Sequence, residues 1–445
     1  MTGAQNKNIL SDKERLKNDL KSAARRKFWE YFSFLKRRKL KDYFVKGDMD
    51  LTFLIIVLFL MSAGLIMVFS SSYIMALNDS SGKILNNPYY YITKQIIFSL
   101  MGIVVLYLFS KINHDFIKQL SVLALIVSII LLIVVLFYFI KLEGRGGIKR
   151  YMALPIVGQF QPSEVAKLGL IMFCAWGMER NYKQIAKRVT LLWPYVLAII
   201  FMSGLIYKEN HLSGTILIFG IGLIMLFLSG AKLRWFIFFG TIGLVLAVGA
   251  IYAFWMVVNK PDEAASFLPA QFVAWGRDPQ SAPYMLVRIF AWLKKDYDPL
   301  GARWQTNNSL YAIASGGMLG KGLGNSLQKH VYLSEAHNDF IFSIICEEFG
   351  FIGALLIIIL FGLLMWRGFV IASRAKDRFG SLLVTGILFQ VGLQAVIHIA
   401  VVTDTIPNTG ISLPFISYGG TSLLILLAEM GMVLSVSRTA KMDKS

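Results

Sequence analysis

A group of polar residues surrounds the start of one long apolar segment in the C-terminal half of the chain. Its members are Glu335, His337, Asn338, Asp339, Glu347 and Glu348. Ionised side chains are costly in hydrocarbon, so acids in a membrane helix pair with cations or face a cavity. Glu347 and Glu348 lie well inside the segment, and both are predicted to pair with a buried Lys or Arg or to cap the N-terminus of the helix. Asp339 lies at the predicted outer water boundary, where a carboxylate can act on an extracellular head group.

The spacing of these residues predicts one polar stripe. A helix that opens at Asp339 places Ser343 and Glu347 on the same face, because residues four apart lie above one another. Glu335 precedes this stripe by one turn. The stripe is predicted to face the interior of a helical bundle or a cavity.

Cations gather in a short outer loop and in the helix after it. The stretch KLEGRGGIKRYM contains Lys141, Arg145, Lys149 and Arg150. Lys and Arg are normally depleted on the outer side of a membrane, so their presence predicts an anionic ligand. Glu143 and lipid phosphates could satisfy them instead. In QPSEVAKLGL, Glu164 and Lys167 share one helix face, either as a structural ion pair or as part of an anion or hydroxyl site.

A glycine-rich run in the large outer loop resembles a phosphate-binding loop. Its glycines are Gly316, Gly317, Gly320, Gly322 and Gly324. Lys321 is followed by glycine instead of Ser or Thr, and the loop is predicted outside the cell, which excludes an ATP-binding P-loop. Backbone N–H groups directed at a lipid-borne phosphate remain an interpretation. The glycines also predict that the loop 298–324 rearranges at little steric cost and exposes Asp339.

The elements that position these residues are those of an all-α polytopic membrane protein. Hydrophobic residues make up 56% of the 445 residues, and the mean hydropathy is +0.60. About ten apolar runs are long enough to span a bilayer, whereas a β-barrel would show short alternating segments. The predicted helices are 51–71, 93–110, 118–140, 162–178, 190–207, 212–229, 233–257, 337–366, 381–402 and 413–436. A large extracytoplasmic loop, 258–336, separates helices 7 and 8.

The distribution of charge predicts the topology. Residues 1–50 carry 14 Lys and Arg against 7 Asp and Glu, and their aromatic stripe predicts an amphipathic helix on anionic membrane lipids. The same stripe argues against nucleic-acid binding. Residues 51–436 form the ten-helix domain, and 437–445 form a tail. The positive-inside rule places both termini in the cytoplasm.

Metal and disulfide chemistry receive little support from the sequence. Cys174 and Cys346 each lie inside a predicted span, and the five histidines are scattered without metal-ligand spacing. No cofactor is predicted with certainty. A divalent cation, Mg²⁺ or Mn²⁺, could bridge a pyrophosphate, although no acid cluster in the outer loop requires one.

Five ordered motifs resemble the SEDS family of ten-helix peptidoglycan polymerases. They are GIKRYM (147–152), QPSEVAK (161–167), DPLGARWQTNNSLYAIASGGMLGKGLG (298–324), EAHNDFIFSIICEEFGFIG (335–353) and PNTGISLPFISYGGTSLL (407–424). The resemblance covers about 51–436. The PNTG and HNDF patterns are closer to the FtsW type, which acts in division, than to the RodA type.

The resemblance implies a function and a set of site residues. SEDS proteins polymerise lipid II outside the cytoplasmic membrane with a class B penicillin-binding protein, and the FtsW type works with divisome proteins at the septum. Their essential acid falls on Asp339. Their QPSE-x-x-K motif falls on Glu164 and Lys167, and their basic outer position on Arg150. The chain departs from the family at His211, so helix six receives no catalytic role. A second departure is Asp404.

The implied reaction fits the residues present. An α-linked pyrophosphate donor and a β-1,4 product require one inverting displacement, in which a base activates the acceptor hydroxyl. Pyrophosphate leaves readily once its charge is neutralised, so one acid plus cations suffices, unlike glycoside hydrolysis. Asp339 is the predicted catalytic residue. The predicted substrate-binding residues are Arg150, Lys167, Glu164, Lys321, Arg303, Glu335, His337 and Asn338.

Three other functions remain open from the sequence. A lipid II flippase or transporter would also use a polar-lined bundle, but its charges should spread through the bilayer midplane. A RodA-like polymerase would act in elongation. A non-catalytic scaffold of the division complex would rely on the basic N-terminal helix instead.

Overall fold

The computed structural model describes most of the chain beyond the N-terminal segment. The chain divides into two compact units, Met1–Val45 and Lys46–Ser445. The described residues are 44–77, 87–138, 150–154, 158–185, 188–266, 268–278, 282–295, 298, 300–301, 303–330, 332–333 and 336–440. The predicted N-terminal amphipathic helix, Lys141, Arg145, Lys149 and Glu335 therefore lie outside the described residues.

Helices dominate the described part of the chain. They are α1 Leu51–Leu77, α2 Tyr90–Lys111, α3 His114–Phe137, α4 Pro162–Ile185, α5 Trp193–Lys208, α6 Leu212–Leu228, α7 Leu233–Asn259, α8 Pro261–Ala264, α9 Ala270–Arg277, α10 Tyr284–Leu293, α11 Trp304–Gly316, α12 Ile341–Ser373, α13 Arg378–Val402 and α14 Gly420–Thr439. Two short antiparallel strands, β1 Met152–Leu154 and β2 Gly158–Phe160, precede α4.

Ten of these helices correspond to the ten predicted spans. Eight are long and apolar enough to cross a membrane. Of the other two, α6 is apolar but has 17 residues, and α4 has 24 residues and includes the charged Glu164 and Lys167. The fold class predicted from the sequence is therefore confirmed.

The bundle has a buried centre and an exposed outer helix. Most side chains of α13 and α14 are buried, and both helices contribute to the main apolar core. Most of the described apolar side chains of helix α7 are exposed. Its last turns pack with α8–α10 around a second small core that includes Val257, Val273 and Phe290.

The start of α12 differs from the prediction. The helix begins at Ile341 instead of residue 337, so Asp339 lies in a turn before it. The turn is held by a distant segment, because Tyr418 N–H donates to His337 O (2.9 Å) and Ser417 Oγ donates to Asn338 O (2.8 Å). The predicted helical stripe therefore begins at Ser343, not at Asp339.

Helix α12 is broken at Gly350, whose φ of 64° and ψ of −163° are not helical. The backbone N–H groups of Lys321 and Gly322 donate to the carbonyls of Glu347 and Glu348, each at 2.9 Å. In return, the N–H groups after the break donate to Gly317 O (2.9 Å) and Met318 O (3.2 Å). The glycine-rich loop thus completes the hydrogen bonds that the break removes.

The same contacts show how the glycines pack in this structure, while the rearrangement of loop 298–324 stays a prediction. A Cβ on Gly316 would collide with Cys346 O, and a Cβ on Gly320 would collide with Glu348 O. Here the glycines permit close backbone packing against α12.

Candidate functional site

Asp339 lies beside the segment that contains the PNTG motif. A Cβ built on Gly410 would be 2.9 Å from Asp339 Oδ2 and 3.9 Å from Arg288 Nη1. The side chain is only partly buried. Within the described residues, its carboxylate forms no hydrogen bond or ion pair. Asp339 is therefore a carboxylate that a ligand can approach.

Glu347 and Glu348 have the opposite environment. Glu347 is fully buried and accepts hydrogen bonds from Lys321 Nζ (2.7 Å), Ser326 Oγ (2.5 Å) and the Leu327 N–H (3.0 Å). Glu348 is also fully buried and accepts from Lys329 Nζ at 2.6 Å and from Ser70 Oγ at 2.7 Å. The predicted structural ion pairs of both acids are confirmed.

Two of the predicted substrate-binding cations are engaged within the protein. Lys321 pairs with Glu347. Arg303 pairs with Asp404 at 2.8 Å and also donates to Ala291 O at 2.8 Å. Both cations are therefore held by partners within the protein.

Sequence reasoning missed Arg288, whose Nη1 lies beside Gly410 as Asp339 Oδ2 does. From the middle of α10, its Nη1 donates to Asn408 O at 2.8 Å. Arg288, Trp292, Arg303, Asp404 and Asn408 line a small cleft at this place. The available signal was a single arginine in the otherwise apolar run YMLVRIFAWL.

The two motif residues of α4 form a buried ion pair. Lys167 Nζ lies 2.8 Å from Glu164 Oε2 and donates to Gln394 Oε1 at 2.9 Å. Lys167 is almost wholly buried, while Glu164 keeps a little exposure. The predicted ion pair is thus present, and the anion-site interpretation of the same two residues is a proposal.

Arg150 lies near Glu209 and His211, two residues between α5 and α6. Burial raises the pKa of Glu209 to about 9, and the positive charge of Arg150 offsets only part of this rise. Burial also lowers the pKa of His211 well below its usual value, helped by the charges of Arg150 and Lys167. The structure therefore places Arg150 near both residues, and Lys167 near His211.

Glu209 is a second residue that sequence reasoning missed. It is fully buried, and neither carboxylate oxygen has a hydrogen-bond partner among the described residues. The raised pKa makes it a neutral acid at pH 7. The signal was an acid immediately after an apolar helix, in the sequence YKENH.

A polar stripe on α13 connects these groups. Gln390, Gln394 and His398 are four residues apart and so share one helix face. Gln390 Nε2 donates to Glu429 at 2.9 Å, and Gln394 contacts both Lys167 and the carbonyl of Ser412. His398 Nδ1 lies 2.7 Å from Ile411 O.

His337 and Asn338 fix the turn that presents Asp339. The His337 ring packs against the rings of Tyr91 and Tyr418, at centroid distances of 4.6 and 5.6 Å, and the two tyrosine rings lie 5.0 Å from each other. Asn338 contributes its backbone carbonyl to Ser417. The structure therefore gives both residues a positioning contact beside the candidate acid.

One group of possible metal ligands is found among the described residues: His114, Asp115 and Asp377. It lies at the other end of α12 from Asp339, and this helix has 33 residues. His114 Nε2 lies 2.9 Å from Asp377 Oδ1. Burial raises the pKa of Asp377, but the hydrogen bond and charge of His114, the Gly380 N–H and the charge of Lys118 together outweigh it, so the net shift is downward. A histidine–aspartate hydrogen bond accounts for this arrangement.

The fold and site define a polytopic membrane protein with an accessible acid at one end of its bundle. Residues 50–442 match the family model of FtsW, RodA and SpoVE, described as a cell cycle protein. The chain therefore belongs to this family.

Similar proteins carry related names. The stage V sporulation protein E of Bacillus subtilis is 36% identical over 400 residues, covering 89% of this chain and 99% of that protein. A probable peptidoglycan glycosyltransferase FtsW of Trichlorobacter lovleyi is 34% identical, covering 91% and 97%.

Solved structures share the fold. One solved structure has a TM-score of 0.65 and 23% identity, and the match covers 89% of this chain and 99% of that chain. It comes from work on the structural coordination of polymerization and crosslinking by a peptidoglycan synthase complex. The RodA of Thermus thermophilus has a TM-score of 0.57 and 22% identity, covering 89% and 98%.

Proposed function

We propose that this protein is a peptidoglycan glycosyltransferase that polymerises lipid II by inverting transfer outside the cytoplasmic membrane. The observation that carries the proposal is the environment of the Asp339 carboxylate. It is partly exposed and without a partner among the described residues, whereas Glu347, Glu348 and Asp404 all pair with cations. Relatives named as peptidoglycan glycosyltransferases support the reaction class.

In the proposed reaction, Asp339 accepts the proton of the acceptor 4-hydroxyl. The hydroxyl oxygen forms a bond to the anomeric carbon of the donor, and the bond to pyrophosphate breaks with its electron pair on the leaving group. General-base assistance of this kind is typically worth about 10²–10⁴ in rate. Arg288 supplies a positive charge on the same side of Gly410 as this carboxylate.

The cations are proposed to neutralise the pyrophosphate. Arg150 and Lys167 lie around one buried neighbourhood, where preorganised charge is worth more than in water. The remaining N–H donors of Arg303 and Lys321 are proposed as further contacts, with Glu164, Glu335, His337 and Asn338 shaping the sugar site. A divalent cation on the pyrophosphate would share this neutralising role.

The proposed setting is the division septum of a bacterial cell membrane. Relatives with the FtsW name support division over elongation. The solved structure of a peptidoglycan synthase complex supports a partner, which we take to be a class B penicillin-binding protein working with other divisome proteins. We place both termini in the cytoplasm, with residues 1–50 on anionic lipids.

Polymerisation of labelled lipid II by the purified protein, with its partner transpeptidase, tests this function. Asp339→Asn should fold and bind the partner, yet make glycan at a rate lowered by about 10²–10⁴. Asp115→Asn, an acid at the other end of the bundle, should keep the wild-type rate. Full activity of Asp339→Asn would remove this acid from the mechanism. Transfer of lipid II across vesicles without glycan would favour the flippase.

A further inference from the structure

The glycine-rich segment after α11 exposes large apolar side chains. Met318 is 64% exposed and Leu319 is 79% exposed. The sequence from Tyr311 to Gly320 contains no charged residue. Contiguous exposed apolar surface marks a contact with lipid or with another protein. The depth of this segment in the bilayer therefore decides what its side chains meet.

One ion pair marks the same bilayer boundary on two helices. Arg367, in the last two turns of α12, donates to Asp50 at 2.8 Å, and Asp50 directly precedes α1. Trp366 beside it is exposed, as expected for an aromatic residue at a membrane interface. Depth can therefore be measured from this pair along both helices.

The two helices agree on the opposite boundary. A helix rises about 1.5 Å per residue, so about 20 residues cross a hydrocarbon core about 30 Å thick. Ser70 lies 20 residues from Asp50, and Glu348 lies 19 residues from Arg367. Ser70 Oγ donates to Glu348 at 2.7 Å. Both helices therefore reach the outer boundary at this contact.

The glycine-rich segment contacts α12 below the outer boundary. The N–H groups of Phe351 and Ile352 donate to Gly317 O (2.9 Å) and Met318 O (3.2 Å). Ile352 lies 15 residues from Arg367, which corresponds to a height of about 22 Å. The contact is therefore about 8 Å inside a hydrocarbon core of about 30 Å. Any tilt of α12 would lower this height further.

The path of the chain into and out of this depth is also defined. Ser309 Oγ on α11 lies 2.7 Å from Ser343 Oγ, and Gly316 packs against the carbonyl of Cys346. Helix α11 therefore descends alongside the start of α12. The carbonyls of residues 316–318 each accept a backbone N–H. Backbone at membrane depth requires such partners within the protein.

We propose that α11 and residues 317–320 form a re-entrant element in the outer leaflet, with Met318 and Leu319 in contact with lipid acyl chains. Phe351 and Ile352, exposed on α12 at the same height, continue this apolar surface. Lys321, the first charged residue after the tip, directs its ammonium to Glu347 at 2.7 Å, close to the outer boundary. The contact with lipid does not depend on the proposed reaction.

Spin labels on introduced cysteines test this depth in the full-length protein, reconstituted in phosphatidylcholine vesicles. A nitroxide on Leu319→Cys should collide often with O₂, which dissolves in hydrocarbon, and rarely with a water-soluble Ni²⁺ chelate. Leu300→Cys is the matched control, because Leu300 is also 79% exposed but follows the charged run KKDYD in the same loop. The ratio of O₂ to Ni²⁺ collisions should be several-fold higher at 319 than at 300. Ile359→Cys, in the middle of α12, supplies the lipid reference.

A second position covers the case in which Leu319→Cys does not fold. Met318→Cys should give the same high ratio of O₂ to Ni²⁺ collisions. Cys174 and Cys346 are buried, so wild-type protein treated with the label measures the background. A nitroxide at 318 or 319 that the Ni²⁺ chelate reaches as often as at 300 would overturn the inference. Shielding from both reagents would also overturn it, since protein and not lipid would then cover the tip.

Discussion

The stretch from Asp339 to Glu348 contains carboxylates in two contrasting environments. Glu347 and Glu348 are fully buried, and each has a lysine within 2.7 Å. Asp339, which precedes them in the same stretch, is partly exposed and has no partner among the described residues. A buried charge requires a fixed counter-charge, and such a pair cannot easily change its protonation. The difference separates acids that hold the fold from an acid that is available to a substrate.

Removing the counter-charge of Glu348 should give the largest effect on stability. Lys329→Met leaves a buried carboxylate without its cation, which typically costs about 3–5 kcal/mol. Thermal unfolding of the purified protein in detergent would measure the loss. Asp339→Asn, in contrast, should leave the unfolding temperature unchanged.

Two controls sharpen this test. The double variant Lys329→Met with Glu348→Gln removes both charges and should recover much of the lost stability. Lys260→Met breaks an exposed pair with Glu263, 2.9 Å apart, and should cost less than about 1 kcal/mol. Equal losses of stability in Lys329→Met and Lys260→Met would mean that burial does not make an ion pair more costly to break.

Glu209 offers an intermediate case, because it is buried like Glu348 but unpartnered among the described residues, like Asp339. Its pKa of about 9 in the folded protein is above the ordinary value of 4.5. Its contribution to stability is therefore complete below pH 4.5 and declines as the pH rises toward 9. Glu209→Gln should unfold at a higher temperature than the wild type at pH 9, with the two curves converging near pH 4.5. A difference that does not vary with pH would mean that Glu209 is charged in the folded state.

Crowding Asp339 should give the smallest effect. Gly410→Ala would place a Cβ 2.9 Å from the Asp339 carboxylate at a φ of +63°, and so displace the acid from its position. We expect polymerisation to fall about 10-fold, which corresponds to about 1.4 kcal/mol. Gly204→Ala, where a Cβ meets nothing within 4 Å, is the matched control. An unchanged rate in Gly410→Ala would show that Asp339 does not need this exact position.

The helices were predictable because their signal is local. Each apolar run is long enough to span a bilayer by itself, and every predicted span has a helix at its place. The pairing of Glu347 and Glu348 was predictable for the same reason, since a charge inside an apolar run must find a partner. Their partners, Lys321 and Lys329, could not be chosen from the sequence.

The remainder of the site depends on distant contacts. Asp339 lies in a turn because residues 417 and 418 hold the preceding backbone. Arg288 and Glu209 acquire their roles from neighbours far along the chain. The stripe Gln390, Gln394 and His398 was readable as polar residues spaced by four, but its contacts with Glu429, Lys167 and Ile411 were not.

The break at Gly350 has a consequence for membrane insertion. Inside a lipid bilayer, every backbone N–H and C=O group must find a partner within the protein. Around Gly350 those partners come from Gly317, Met318, Lys321 and Gly322, which precede α12 in the chain. The loop must therefore reach its final side of the membrane before α12 can settle in lipid with its hydrogen bonds complete. The order of synthesis supplies this order of assembly, since the ribosome delivers the loop before the helix that needs it.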